Sequence, residues 1–255
     1  MEKRTRPSQP VTTTQTSFEV FELIKERDGL TLSELDAELD LAKSTLHRHL
    51  ATLEDLGYLV RDDDTYRVGL WFLDLGFSAM RQNELYQVGK DLAENLAEQT
   101  EHTVWLSAEQ NGLAVHIHKA VGGNPFQNFA NVGKRRLLHP LAGGKAILAF
   151  LPEERVRSIV DRHGLPARTE NTITDEAELF EMIERTRERG YSVQFGEAIV
   201  GLNGVGAPIR LEGEVVGAIA IAGAANRIPR AKIHDELAEQ VLAIANEIEV
   251  NLRYS

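Results

Sequence analysis

The sequence predicts a two-domain α+β protein: a winged helix-turn-helix followed by a sensor-like domain of hairpins and helices. Three observations carry this. Three apolar stripes at helical spacing, closed by two short strand-like runs, occupy the first ~68 residues. From Thr103 onward, strand hairpins alternate with amphipathic helices, a mixture that suits an α+β domain better than a doubly wound parallel sheet. The 255 residues, 42% hydrophobic and 26% charged, suffice for two modest domains of ~100–200 residues.

Residues 1–13, with Pro7, Pro10 and the Thr12–Thr14 run, have little to bury and read as a disordered polar tail. The winged domain spans 14–68. Phe18, Phe21 and Ile24 form its first stripe, ended by Gly29. Thr31 and Glu34 have capping-box spacing ahead of Leu35 and Leu39. Leu46, Leu50, Leu53 and Leu56 form the third stripe, up to Gly57. Strands at 58–61 and 65–69, joined by Asp62–Asp64, form the wing. A linker helix over 69–84 leads to a second domain over 85–255. There, Asn111-Gly112 and Glu212-Gly213 signal hairpins between strands at 103–109 and 113–120, and at 205–211 and 214–222. A further strand is expected at 191–196, and helices at about 143–151, 153–163, 174–189 and 230–252.

The third helical stripe carries the first functional signal. With Leu46 at the centre of its buried side, Ser44, Arg48, Ala51 and Thr52 fall opposite, flanked by Thr45 and His47. From Leu41 to Leu53 there is no acidic residue, so Lys43 and Arg48 can donate to phosphates and base edges with no like charge facing the duplex. The DNA-contacting set is therefore Lys43, Ser44, Thr45, His47, Arg48 and Thr52. The surrounding charge pulls the other way: the chain carries −11 overall, and residues 1–67 hold 9 basic against 14 acidic side chains. Either the acidic wing stays off the DNA, or the protein works in high salt, where an acidic surface maintains solubility.

The chain resembles the IclR family of transcriptional regulators along nearly its whole length. Gly57-Tyr58-Leu59, then Tyr66-Arg67-Val68-Gly69 and the helix from Leu70, are similar to the family's N-terminal pattern. Gly133, Leu138-His139, Ala142 and Gly144-Lys145-Ala146 follow its first C-terminal run. Arg189-Gly190-Tyr191, Glu197, Gly201-Leu202, Ala207-Pro208 and Val215–Ile219 follow the second. The resemblance implies a GAF-like effector-binding domain, a double-stranded DNA operator, a small-molecule effector and a homodimer or tetramer. It places the effector at Ala142, Gly143, Gln194, Gly204, Ala222 and Ala224. The family often has Asp, Cys, Ser and Ser at the last four of these positions, and Thr or Ser in place of Leu141, so this pocket is less polar than usual.

The resemblance and the residues together suggest a small organic acid as effector. The helix beginning near Gly143 offers free amides and a positive dipole end, so a carboxylate needs no cationic side chain there. Gly143 and Gly144 allow close approach, and Gln194 both donates and accepts, which suits a hydroxy or keto acid.

Other chemistry is weaker. The absence of cysteine excludes disulfides, thiol nucleophiles and Cys-based metal sites. Gly143-Gly144-Lys145 is not a phosphate loop, because His139 stands where its first glycine belongs and Ala146 replaces the Ser or Thr. His116 and His118, one face of a strand by alternation, suggest a metal pair, but ordinary buried or surface histidines account for them. Lys145 could form a Schiff base, yet pairing or solvation is the better reading. The chain is thus read as a non-enzyme without metal or cofactor. The alternatives are a small-molecule enzyme, which no paired carboxylates or Ser–His spacing support, and an architectural DNA-binding protein that senses nothing. With no signal peptide and no membrane-length apolar run, a cytoplasmic protein is expected.

Overall fold

The computed structural model describes residues 11–123 and 131–254. Most of the tail expected over 1–13 lies outside the described residues, but Thr12 and Thr13 already belong to the first helix. The chain divides after Ala79 into two compact units.

The first unit contains α1 (Thr12–Glu26), β1 (Leu30–Thr31), α2 (Leu32–Glu38), α3 (Lys43–Asp55), β2 (Leu59–Asp62), β3 (Thr65–Val68) and the start of α4 (Trp71–Arg81). The capping box forms: Glu34 N–H donates to the Thr31 hydroxyl at 3.3 Å, and Thr31 N–H donates to the Glu34 carboxylate at 2.8 Å. Val20, Ile24, Leu35, Leu46, Leu50, Leu59 and Tyr66 close the core. The sheet has three antiparallel strands, β1-β3-β2, where the sequence predicts a two-stranded wing. At two residues, β1 is too short to show alternation. On α4, Phe72 packs its ring 4.8 Å from Phe21 and 5.0 Å from Tyr58, while Trp71, Leu73, Leu75 and Phe77 remain more than half exposed.

The second unit takes in α5 (Glu84–Thr100), β4 (Thr103–Gln110), β5 (Leu113–Val121), β6 (Arg135–Leu137), α6 (Ala142–Phe150), α7 (Glu153–His163) and α8 (Glu176–Arg189). After these come β7 (Ser192–Phe195), β8 (Leu202–Leu211), β9 (Glu214–Ala224), α9 (Arg230–Lys232) and α10 (Ala238–Tyr254), the last two joined by a π turn over Ile233–Leu237. An antiparallel sheet ordered β6-β5-β4-β9-β8-β7 forms the middle layer. Residues of α5 and α10, among them Leu96, Val241 and Ile248, cover one face through Leu106 and Ile221. The other face receives α6, backed by α8, with Ala146, Ile147, Leu179 and Ile183 around Ala218. Both expected hairpins turn through left-handed pairs, Asn111 (φ 57°) with Gly112 (φ 85°), and Glu212 (φ 54°) with Gly213 (φ 87°).

One irregularity redirects a face. The pairing of β4 with β5 shifts between Leu106 and Ser107, so Ser107 opposes His116, Leu106 opposes His118, and Ile117 is the extra residue. The bulge turns His116 to the α6 side, beside Trp105, and His118 to the α5 side, against Glu94 and Tyr86. The one-face arrangement expected from simple alternation does not form.

Candidate functional site

On α3, Leu46, His49, Leu50 and Leu53 are buried, so the opposite face is dictated by the same periodicity. Lys43, Ser44, His47, Arg48 and Thr52 are exposed and Thr45 is half-buried, which brings all six expected residues onto one side of one helix. His49 belongs to the fold: its Nδ1 lies 3.0 Å from the Ser17 hydroxyl of α1. The N-cap is Ala42, with no side-chain cap, so the amides of Lys43 and Ser44 remain open to an external acceptor such as phosphate. On the wing, Arg61 folds back, donating to Asp64 at 2.7 Å and to the Asp63 carbonyl at 2.8 Å. That leaves the tip acidic and unsuited to lie along a phosphate backbone.

The second unit holds a cavity of about 330 Å³, within the range of small-molecule sites. All six strands contribute to it. Register places Gln194, Gly204 and Ala222 in one row of the floor and Ala220 opposite Trp105 in the next; Ser107 lies opposite His116 beyond them. The start of α6 roofs this floor. Gly206 permits that contact, since a Cβ there would stand 2.8 Å from the Gly143 nitrogen. Lys145 N–H donates to the Leu141 carbonyl, and among the described residues the amides of Ala142, Gly143 and Gly144 have no recorded acceptor.

Five of the six expected effector residues line this cavity: Ala142, Gly143, Gln194, Gly204 and Ala222. Ala224, paired with Leu202 at the end of β9, is not among its lining residues. Three expected roles also change. Gln194 donates to the Leu202 carbonyl at 2.9 Å and accepts from Glu197 N–H at 3.0 Å, so its amide pins the 196–201 loop instead of standing free for a ligand. Gly144 serves the fold, because a Cβ would meet the Leu138 carbonyl oxygen at 2.1 Å. Cationic side chains are present after all: Arg136 of β6 and Arg168 both line the cavity. Sequence reading missed them because β6 is three residues long and Arg168 lies in a loop; only the folded sheet brings them to the site.

Two further groupings were also invisible in the sequence. Ser107 and His116 form a buried pair, Oγ to Nδ1 2.9 Å, across the strands. Burial, then the nearby Arg136 and Lys119, push the His116 pKa down to about 4, so the ring is neutral. Lys145, 2% exposed, pairs with Glu197 and donates to the Val193 carbonyl at 3.3 Å, which occupies it as the pairing alternative predicts. Burial pushes its ammonium pKa down and the Glu197 carboxyl up, and their mutual attraction opposes both shifts. His139 reaches the Pro166 carbonyl at 3.3 Å, and no cluster of three metal-ligating side chains forms among the described residues. No helix there is long and apolar enough to cross a membrane.

Known proteins share both units. The IclR helix-turn-helix domain matches residues 15–63, and the C-terminal domain of bacterial IclR transcriptional regulators matches 77–250. A Halobacterium salinarum protein named as an HTH-type transcriptional regulator, ArcR, is 34% identical over 247 residues, covering 95% of this chain and 94% of its own. The Thermotoga maritima IclR crystal structure has 28% identity and a TM-score of 0.77 over 95% of this chain and 99% of that one. An IclR homologue from Microbacterium hydrocarbonoxydans, solved with 4-hydroxybenzoate, has 26% identity and a TM-score of 0.75 over 89% and 92%.

A matched helix-turn-helix domain in one unit and a ligand-sized cavity in the other define a ligand-responsive, DNA-binding transcriptional regulator. The chain belongs to the IclR family of bacterial transcriptional regulators.

Proposed function

We propose that a small organic acid, seated in the sheet-floored cavity, changes the affinity of α3 for its operator. The carrying observation is the run of three unengaged amides at the start of α6, on residues that line the cavity, offering donors and a positive dipole end to a carboxylate. The relative solved with 4-hydroxybenzoate, itself an organic acid, supports this class of ligand. Ala142, Gly143, Gly204 and Ala222 shape the space, and Ser44, Thr45, His47, Arg48 and Thr52 read bases while Lys43 holds phosphate. A two-fold operator calls for a two-fold protein, and the exposed apolar face of α4 supplies a seam for a homodimer. The protein acts in the cytoplasm by binding and not by turnover. Ser107 and His116 make a hydroxyl–imidazole pair, but no recorded carboxylate orients the ring among the described residues.

The test is a calorimetric screen of organic acids against the wild type and Ala222→Leu. The added methyls grow into the cavity, whereas at Gly143 a side chain would meet Ala220 at 3.4 Å and Ala218 at 3.7 Å on the sheet. Binding by the wild type and a loss of about tenfold or more in the variant are expected. Equal binding by both would place the effector elsewhere.

A further inference from the structure

The two ends of the cavity demand more than one carboxylate. A single acid group on the α6 amides, over β8 and β9, leaves untouched everything at the β6 end. There Arg136 is half-buried and shares the cavity wall with Arg168; burial, and then that like charge, hold the Arg136 guanidinium below its usual range. Among the described residues neither guanidinium has a recorded hydrogen-bond or ion-pair partner, and residues 124–130, outside that set, include no Asp or Glu. Two like charges on one cavity wall, with no carboxylate partner among the described residues, are an electrostatic cost that a bound anion relieves.

His116 points the same way. Its side chain is more than nine-tenths buried, Nδ1 is taken by Ser107, and Nε2 has no recorded partner among the described residues while the ring lines the cavity. Between the two ends the wall is apolar: Trp105, Ala220 and Leu141. β6 and β9 are three strand spacings apart, ~14 Å between backbones, and the long Arg136 side chain shortens that span.

We infer that the effector is a dianionic organic acid whose second acidic group binds Arg136, Arg168 and the Nε2 of His116 while its first sits on the start of α6. The inference rests on the organic-acid reading above and goes further, because it fixes the number and separation of the acidic groups. Its carbon skeleton lies along the Trp105–Ala220 floor.

The experiment is calorimetry on the full chain with unbranched dicarboxylates of roughly four to seven carbons and the monocarboxylates of equal length. The best dicarboxylate is expected to bind about tenfold or more tightly than its monocarboxylate counterpart. Arg136→Gln should weaken dicarboxylate binding far more than monocarboxylate binding and so remove most of that advantage. Arg168→Gln, on an exposed side chain in a loop, should reduce the advantage without touching strand pairing. Equal affinity for the two series, or a loss in Arg136→Gln shared equally by both, would overturn the dianion. Absence of binding by every acid, with an unchanged thermal melt, would overturn the organic-acid reading and the dianion with it.

Discussion

Arg48 and Lys43 lie on the same exposed face of α3, yet their substitutions should have different signatures. On the proposed reading Arg48 forks onto a base edge, so Arg48→Ala should cost ~1–3 kcal/mol of operator binding and relax specificity at one base pair. Lys43, at the uncapped helix start, is the proposed phosphate contact; Lys43→Ala should weaken all sequences alike and lower the salt slope by about one. Binding titrations over a salt series, with operator and scrambled DNA, separate the two. The buried Lys145–Glu197 pair should behave as a unit. Lys145→Met strands a carboxylate that is already short of partners, since its Oε2 has none, and should cost about 3–5 kcal/mol in denaturant unfolding. Adding Glu197→Leu should restore much of that loss, because the double variant buries no charge. His116 sets a pH dependence. Its folded pKa of about 4 lies below the usual 6.5, so the folded state resists a proton that the unfolded chain accepts. Stability should therefore decline as pH falls from 6.5 towards 4, by about 3 kcal/mol from this residue. His116→Asn, which keeps an acceptor for Ser107, should flatten that part of the pH–stability curve.

At the scale of elements, what was legible followed local chemistry. Asn111-Gly112 and Glu212-Gly213 announced their hairpins through Asn111 and the two glycines, residues that left-handed turn positions favour. Thr31 and Glu34 announced α2, and the leucine spacing of α3 revealed both its buried side and its candidate reading face. What stayed hidden depended on partners distant in sequence. The bulge at Ile117 is visible only in the pairing of β4 with β5, and it separates two histidines that alternation places together. Gln194 is polar for the sake of the 196–201 loop, a use that no residue near it in sequence discloses except Glu197 itself. α4 is the element with the clearest unmet demand: Trp71, Leu73, Leu75 and Phe77 are more than half exposed, although Phe72 packs on Phe21 and Tyr58 and Trp71 touches the Tyr58 ring by an edge. Trp71→Glu should break the homodimer and abolish tight operator binding together, since each half-site contact alone is weak. Light scattering showing an unchanged dimer would remove α4 from the seam.

For the whole molecule, one acidic chain carries two sites that must each receive an anion. The reading face of α3 must attract a polyanion despite a net charge of −11, and the cavity in the second unit collects positive charge at Arg136 and Arg168. Regulation requires that the acid bind the two DNA-affinity states unequally, since a ligand with equal affinity for both shifts nothing. The most direct test is fluorescence anisotropy of labelled DNA from the region upstream of the regulator's own gene, at fixed salt, with and without a saturating acid chosen by calorimetry. The account predicts that the acid changes the operator affinity of the wild type by about 5–150-fold, and leaves that of Ala222→Leu unchanged. An acid that binds the wild type by calorimetry yet leaves its operator affinity unaltered would contradict it.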